Sequence, residues 1–171
     1  MNVGKMYKAE SVRRIDAVWS KLVARCGIEP GQADFELHAR HDILCALGWD
    51  GSGKAPRTKG KAVLAGFYYR DHNGDGVYTP DAGEKLSATL LGTPALDGVD
   101  APIETYAYTF FFAPVTVGES VTLRFDVDGV APFEASATVR DGLNILHLKI
   151  DPTKPLTYIG AHSHFDPEWR A

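Results

Sequence analysis

The run Asp71-His72-Asn73-Gly74-Asp75-Gly76 constrains the fold more than any other stretch, because oxygen-bearing side chains recur at alternate positions before the chain turns on glycine. That spacing wraps a chain around a hard cation. Ca²⁺ takes about 6 to 8 oxygen ligands at roughly 2.3–2.6 Å, and Asp71, Asn73 and Asp75 supply three of them. Gly76 permits the sharp bend, the Val77 carbonyl then points back at the ion, and a carboxylate from Asp81 or Glu84 closes the far side. Calcium is the expected cofactor, since Mg²⁺ keeps its waters and prefers few protein ligands. A helix-loop-helix hand wants its closing Glu at loop position twelve, and Ala82 stands there. A solvated Asn-Gly/Asp-Gly turn without metal is the plainer alternative.

The flanks of the loop are Val63 to Arg70 and Leu86 to Leu91, both too short for paired helices and rich in β-branched, aromatic or apolar residues, so the loop joins two strands. Further on, Val121, Leu123, Phe125 and Val127 alternate with polar residues, and Phe133, Ala135, Ala137 and Val139 repeat the pattern. Asp128-Gly129 and Asp141-Gly142 fall between such runs as turn dipeptides. With Glu104 to Ala113 and Leu143 to Ile150 as further strands, residues 60–155 read as a mainly β, antiparallel β-sandwich of Ig-like or prealbumin-like type.

Residues 1–59 have another character. Val12, Ile15, Val18, Trp19, Leu22, Val23 and Cys26 recur at three and four, which predicts a helix over 10–26 with Ser11 as cap and Gly27 as stop. A second helix is expected to end at Gly48, although Phe35, Leu37 and Ala39 alternate as in a strand. His38 and His41 lack a partner at metal-ligand spacing and read as solvated or capping residues. Trp49 to Gly60 reads as a linker, and residues 156–171 form a C-terminal tail.

Charge divides along the same line. Residues 1–60 hold ten Lys/Arg and seven Asp/Glu, a net +3, while residues 61–171 hold eight and fifteen, a net −7. The chain's total of −4 argues against nucleic-acid binding, and no apolar run is long enough for membrane insertion. The apolar face of the N-terminal helix, with basic residues opposite, is expected to mediate a homo-oligomer or a protein partner. The N-terminal ten residues lack the apolar run of a secretory signal, which leaves the export route open. Cys26 and Cys45 sit in apolar contexts and read as buried thiols rather than a disulfide or a zinc site.

The segment from Gly60 through the Asp71 to Gly76 loop, followed by Asp81-Ala82-Gly83-Glu84, Tyr106 to Phe110 and Pro114 to Gly118, resembles the calcium-binding B-type repeats of bacterial surface adhesins. These belong with the collagen-adhesin B-type and carboxypeptidase-regulatory-like domains. The resemblance covers about residues 60–150. It implies a prealbumin-like sandwich, a calcium site using Asp71, Asn73, Asp75 and Glu84, and a noncatalytic role as a stalk or spacer. An extracellular surface, or a virion or other assembly, would then be the setting.

Two other functions compete with this structural, adhesive or assembly role. Tyr106, Tyr108 and Trp49 could stack on sugar rings in a glycan-binding module. His162, Ser163 and His164 with Asp166 could hold a metal for hydrolysis, but no general base is identifiable near them. No phosphate-binding loop, nucleophile elbow or Cys/His arrangement stands out, so the chain is expected not to be an enzyme.

Overall fold

The protein is mainly β with an N-terminal helical layer. The computed structural model describes residues 8–79, 84–86, 94–96, 101–105, 109–125 and 133–149. Helix α1 spans Ala9–Arg25 and α2 spans Leu37–Ala46, with a 3-10 turn at Pro30–Ala33 between them. The strands are β1 (Ala62–Arg70), β2 (Lys85–Leu86), β3 (Pro94–Leu96), β4 (Ile103–Thr105), β5 (Thr109–Val115), β6 (Ser120–Phe125), β7 (Phe133–Thr138) and β8 (Gly142–Lys149).

Strand β1 is central because it has no polar face: Ala62 through Tyr69 are all buried. An apolar run of this kind is what a strand covered on both sides requires. Its partners are β8 on one edge and β5 on the other, and β5 pairs onward with β4. The short β2 pairs with Tyr69 and Arg70, in line with β5. A second sheet is ordered β3-β6-β7.

The two faces of β1 nucleate two apolar clusters. Val63, Ala65, Phe67 and Tyr69 meet Ile15, Val18, Trp19, Leu22 and Val23 of α1, and Ala39, Ile43 and Leu44 of α2. Ala62, Leu64 and Tyr68 meet Phe110 and Phe112 of β5, and Val121 and Leu123 of β6. The first sheet is therefore sandwiched between the helices and the second sheet. At Gly66 the layers approach so closely that a Cβ would lie 2.6 Å from the Phe110 ring and 2.8 Å from the Leu146 carbonyl oxygen. Only glycine fits there without repacking.

The apolar face of α1 is covered by the chain's own sheet, and the Trp19 indole N–H donates to the Ala33 carbonyl at 3.1 Å. The segment read as a linker is held along its length by the basic face of α1. Arg14, Lys21 and Arg25 donate to the carbonyls of Gly51, Gly53 and Pro56 at 3.2, 3.1 and 2.7 Å. One cluster thus runs across residue 59, with Trp49 and Ala55 packed on it. Arg40 ties the helices together through Asp16, at 3.2 Å, and Asp34, at 3.3 Å.

Several expectations need correction. The first sheet is mixed, since β8 runs parallel to β1 from Ala62↔Gly142 to Tyr69↔Lys149. Parallel pairing needs a long crossover, and everything between β1 and β8 supplies it. Asp141-Gly142 is accordingly no hairpin turn but the passage from the second sheet back to the first. Gly142 takes φ +91° there, and a Cβ on it would lie 2.8 Å from Cys26 Sγ. The expected single strand from Glu104 to Ala113 is two strands, β4 and β5, paired antiparallel with Glu104 opposite Phe111. Lys8 precedes α1 without a side-chain cap, so Ser11 lies inside the helix rather than at its start. Cys45 is exposed and Cys26 half-buried, and neither forms a disulfide. Among the described residues no helix is long and apolar enough to cross a membrane.

Candidate metal centre

The loop begins where β1 leaves the core. Antiparallel pairing sets Arg70 opposite Lys85, so the next residues outward, Asp71 and Glu84, arrive beside each other. Both are buried, Asp71 at 8% and Glu84 at 4% exposure. Carboxylate oxygens of Asp71, Asp75 and Glu84 all lie within 4.8 Å of one another.

Each carboxylate also organises backbone. Asp71 accepts the N–H of Gly74 at 2.6 Å and of Gly76 at 3.1 Å. Glu84 accepts from His72 at 3.1 Å and from Thr79 at 2.7 Å. Asp75 accepts from Val77 at 2.8 Å, while Asn73 Oδ1 accepts the Asp75 N–H at 3.0 Å. These are successive Asx turns, the local reason that Asp and Asn populate such a loop. The loop is therefore folded by its own hydrogen bonds. A carboxylate oxygen that accepts one N–H keeps capacity for a cation.

Beneath the loop, Tyr78 packs on Phe67 and Tyr69 with ring centroids 5.1 and 5.9 Å away. Its N–H donates to His147 Nδ1 of β8 at 2.8 Å, which requires the neutral tautomer protonated on Nε2. Burial pushes the His147 pKa below its ordinary value, and the Asp75 charge only partly opposes this. Lys149, two residues on, places Nζ 3.3 Å from Asp71 Oδ2. Burial works to raise the Asp71 pKa, but the Gly74 and Gly76 N–H groups and Lys149 outweigh it and hold the carboxyl below its usual value.

Among the described residues the cluster offers three carboxylates and no soft ligand, a donor set that suits a hard cation, with the Lys149 ammonium as a competitor for Asp71. A buried orphan supports the fit. The Tyr69 hydroxyl has no hydrogen-bond partner among the described residues. Burial first, then the charges of Asp71, Glu84 and Asp75, push its pKa up to about 12, so it stays protonated.

Of the sequence-derived ligands, Asp71, Asp75 and Glu84 converge. Asn73 turns its Nδ2 toward Asp75 Oδ2 at 3.0 Å, presenting a donor rather than its carbonyl. The Val77 carbonyl accepts from Thr79 Oγ1 at 3.4 Å. Asp81 lies outside the described residues, as do Tyr106, Tyr108, His162, His164 and Asp166. The Trp49 indole donates internally to the Ser52 carbonyl at 2.8 Å. His147 and Lys149 were not legible as site residues, because only the β8 register brings them under the loop.

No family model, curated protein or solved structure matches the chain.

Proposed function

We propose that this chain is a noncatalytic β-structured module that binds calcium in the 71–84 loop and gains stability from it. Its role would be structural, adhesive or in assembly, with its two sheets arranged as in the prealbumin-like B-type repeats that its loop resembles. The observation that supports this is the convergence of Asp71, Asp75 and Glu84 at the open end of the central strand. An ion there would tie β1 to β2 and, through the loop, to β8.

The test is thermal unfolding with excess Ca²⁺ and with chelator at fixed ionic strength. At free Ca²⁺ one hundred times Kd, linkage is worth about 2.7 kcal/mol, or roughly 5–11 °C in Tm for a chain of this size. Asp75→Ala, whose side chain is exposed, should abolish the rise while leaving the chelator curve nearly unchanged. Superimposable curves for the unaltered chain would remove the reading, and an equal response to Mg²⁺ would remove calcium from it.

A further inference from the structure

Helix α2 brings three reactive groups together. His41 and Cys45 are one helical turn apart and share a face. The Cys45 sulfur lies 3.7 Å from His41 Nε2, and His41 Nδ1 lies 2.8 Å from Asp42 Oδ1. A carboxylate only accepts, so Asp42 fixes the proton on Nδ1 and turns the Nε2 lone pair toward the thiol. The Trp49 ring, edge-on to His41 at 5.9 Å, holds the imidazole. Nucleophile, base and orienting carboxylate thus stand in the order that activates a nucleophile.

Cys45 is exposed and borders a groove of about 250 Å³ between α2 and the first sheet. Phe111 and Ala113 give the groove an apolar floor, and Glu104 and Asp42 place carboxylates on its wall. Cys26 lacks these features. It is half-buried, and its sulfur accepts the Leu143 N–H at 3.4 Å.

We propose that Cys45, with His41 as base and Asp42 as positioning residue, is a reactive thiol that exchanges with small amine-bearing disulfides in the adjoining groove. The Cys45 proton passes to His41 Nε2, and the thiolate attacks one sulfur of the bound disulfide. One S–S bond forms to Cys45 while the original S–S bond breaks. The departing thiolate takes the proton back from His41, so no external oxidant or reductant is needed. Glu104 selects the cationic amine and disfavours carboxylate-bearing disulfides. This activity is independent of the cation loop.

The test is intact-mass and peptide mapping of the full chain after exposure to cystamine, with rates followed from pH 5 to 9. A single adduct on Cys45 is expected, absent in Cys45→Ser. The rate should persist well to the acid side of the usual thiol range near about 8.5. His41→Gln should slow the reaction at pH 7 about tenfold or more and restore the pH dependence of an ordinary thiol, with Asp42→Asn between the two. Cystamine should outpace the dianionic 3,3′-dithiodipropionate several-fold, a preference that Glu104→Gln reduces. Melting curves establish that each variant is folded, and the wild-type pH profile needs no variant. An ordinary thiol profile in the wild type, first modification at Cys26, or an unchanged rate in folded His41→Gln would overturn the assignment. Equal rates for the two disulfides would overturn the ligand class.

Discussion

The two long loops at either end of β1 satisfy their backbones by opposite means. The 49–60 segment offers carbonyls, and cationic side chains of α1 donate to them. The 71–79 loop offers N–H groups, and the carboxylates of Asp71, Asp75 and Glu84 accept them. Behind the first loop stands an apolar cluster that seats two helices; behind the second stand Tyr78, His147 and a Tyr69 hydroxyl without a hydrogen-bond partner among the described residues. The first region rests on an apolar cluster and on cationic donors, so added cations should move it little. The second owes its order to acceptors that titrate, so acid and neutralising substitutions converge on it, and under the proposed calcium reading chelation would as well.

The largest effect belongs to the helical layer. Trp19→Ala empties a site 4% exposed and orphans the Ala33 carbonyl, and should cost about 3–5 kcal/mol in chemical denaturation. Its calcium response should survive, and loss of that response would show that the regions are not separable. Next comes Asp71→Asn, which should remove the calcium response and flatten the acid limb of stability. Because the folded pKa of Asp71 lies below its ordinary 3.8, its contribution is complete above that value and is lost as pH falls through the lower folded one. Titration of stability from pH 5 to 2 compares the two chains.

His147→Leu is smaller. It strands the Tyr78 N–H and should cost about 1–3 kcal/mol above neutrality. In the unaltered protein the unfolded chain takes up a proton at the ordinary histidine value of 6.5, while folded His147 resists until a lower pH. Stability should therefore decline as pH falls from about 6.5 toward that lower value, and the decline should vanish in the variant. The smallest effect is expected for Arg25→Ala, which removes one bond to the Pro56 carbonyl. About 0.5–1.5 kcal/mol and no change in calcium response would keep the first region's independence intact.

What was legible in the sequence followed from period and turn chemistry. The α1 apolar spacing, the unbroken β1 run and the alternation in β6 and β7 each specify an element without reference to distant residues. The carboxylates of the loop were legible for the same reason. The division into β4 and β5 was not, because the sequence from Thr105 to Thr109 contains no glycine, proline, Asn or Asp to announce that two strands meet there. Parallel pairing of β8 was hidden too, since Leu143, Ile145, Leu146 and Leu148 pack equally well in either direction when considered alone. The basic face of α1 was visible, but not the carbonyls that absorb it, because a loop's backbone carries no sequence signal. His41 and Cys45 stood at helical spacing, yet their relation depended on placing α2 first.

The pairing of Ala62 with Gly142 separates partners by 80 positions, and it completes the edge of the strand on which everything else is built. A chain emerging in order would have both helices and β1 in hand long before β8 arrived. Until then one edge of a strand buried from Ala62 to Tyr69 would offer unpaired amides to any neighbouring molecule. Closing so long a loop is entropically slow, and contacts this remote in sequence delay folding. The interval in which aggregation competes with folding is thus set by β8, the last strand among the described residues.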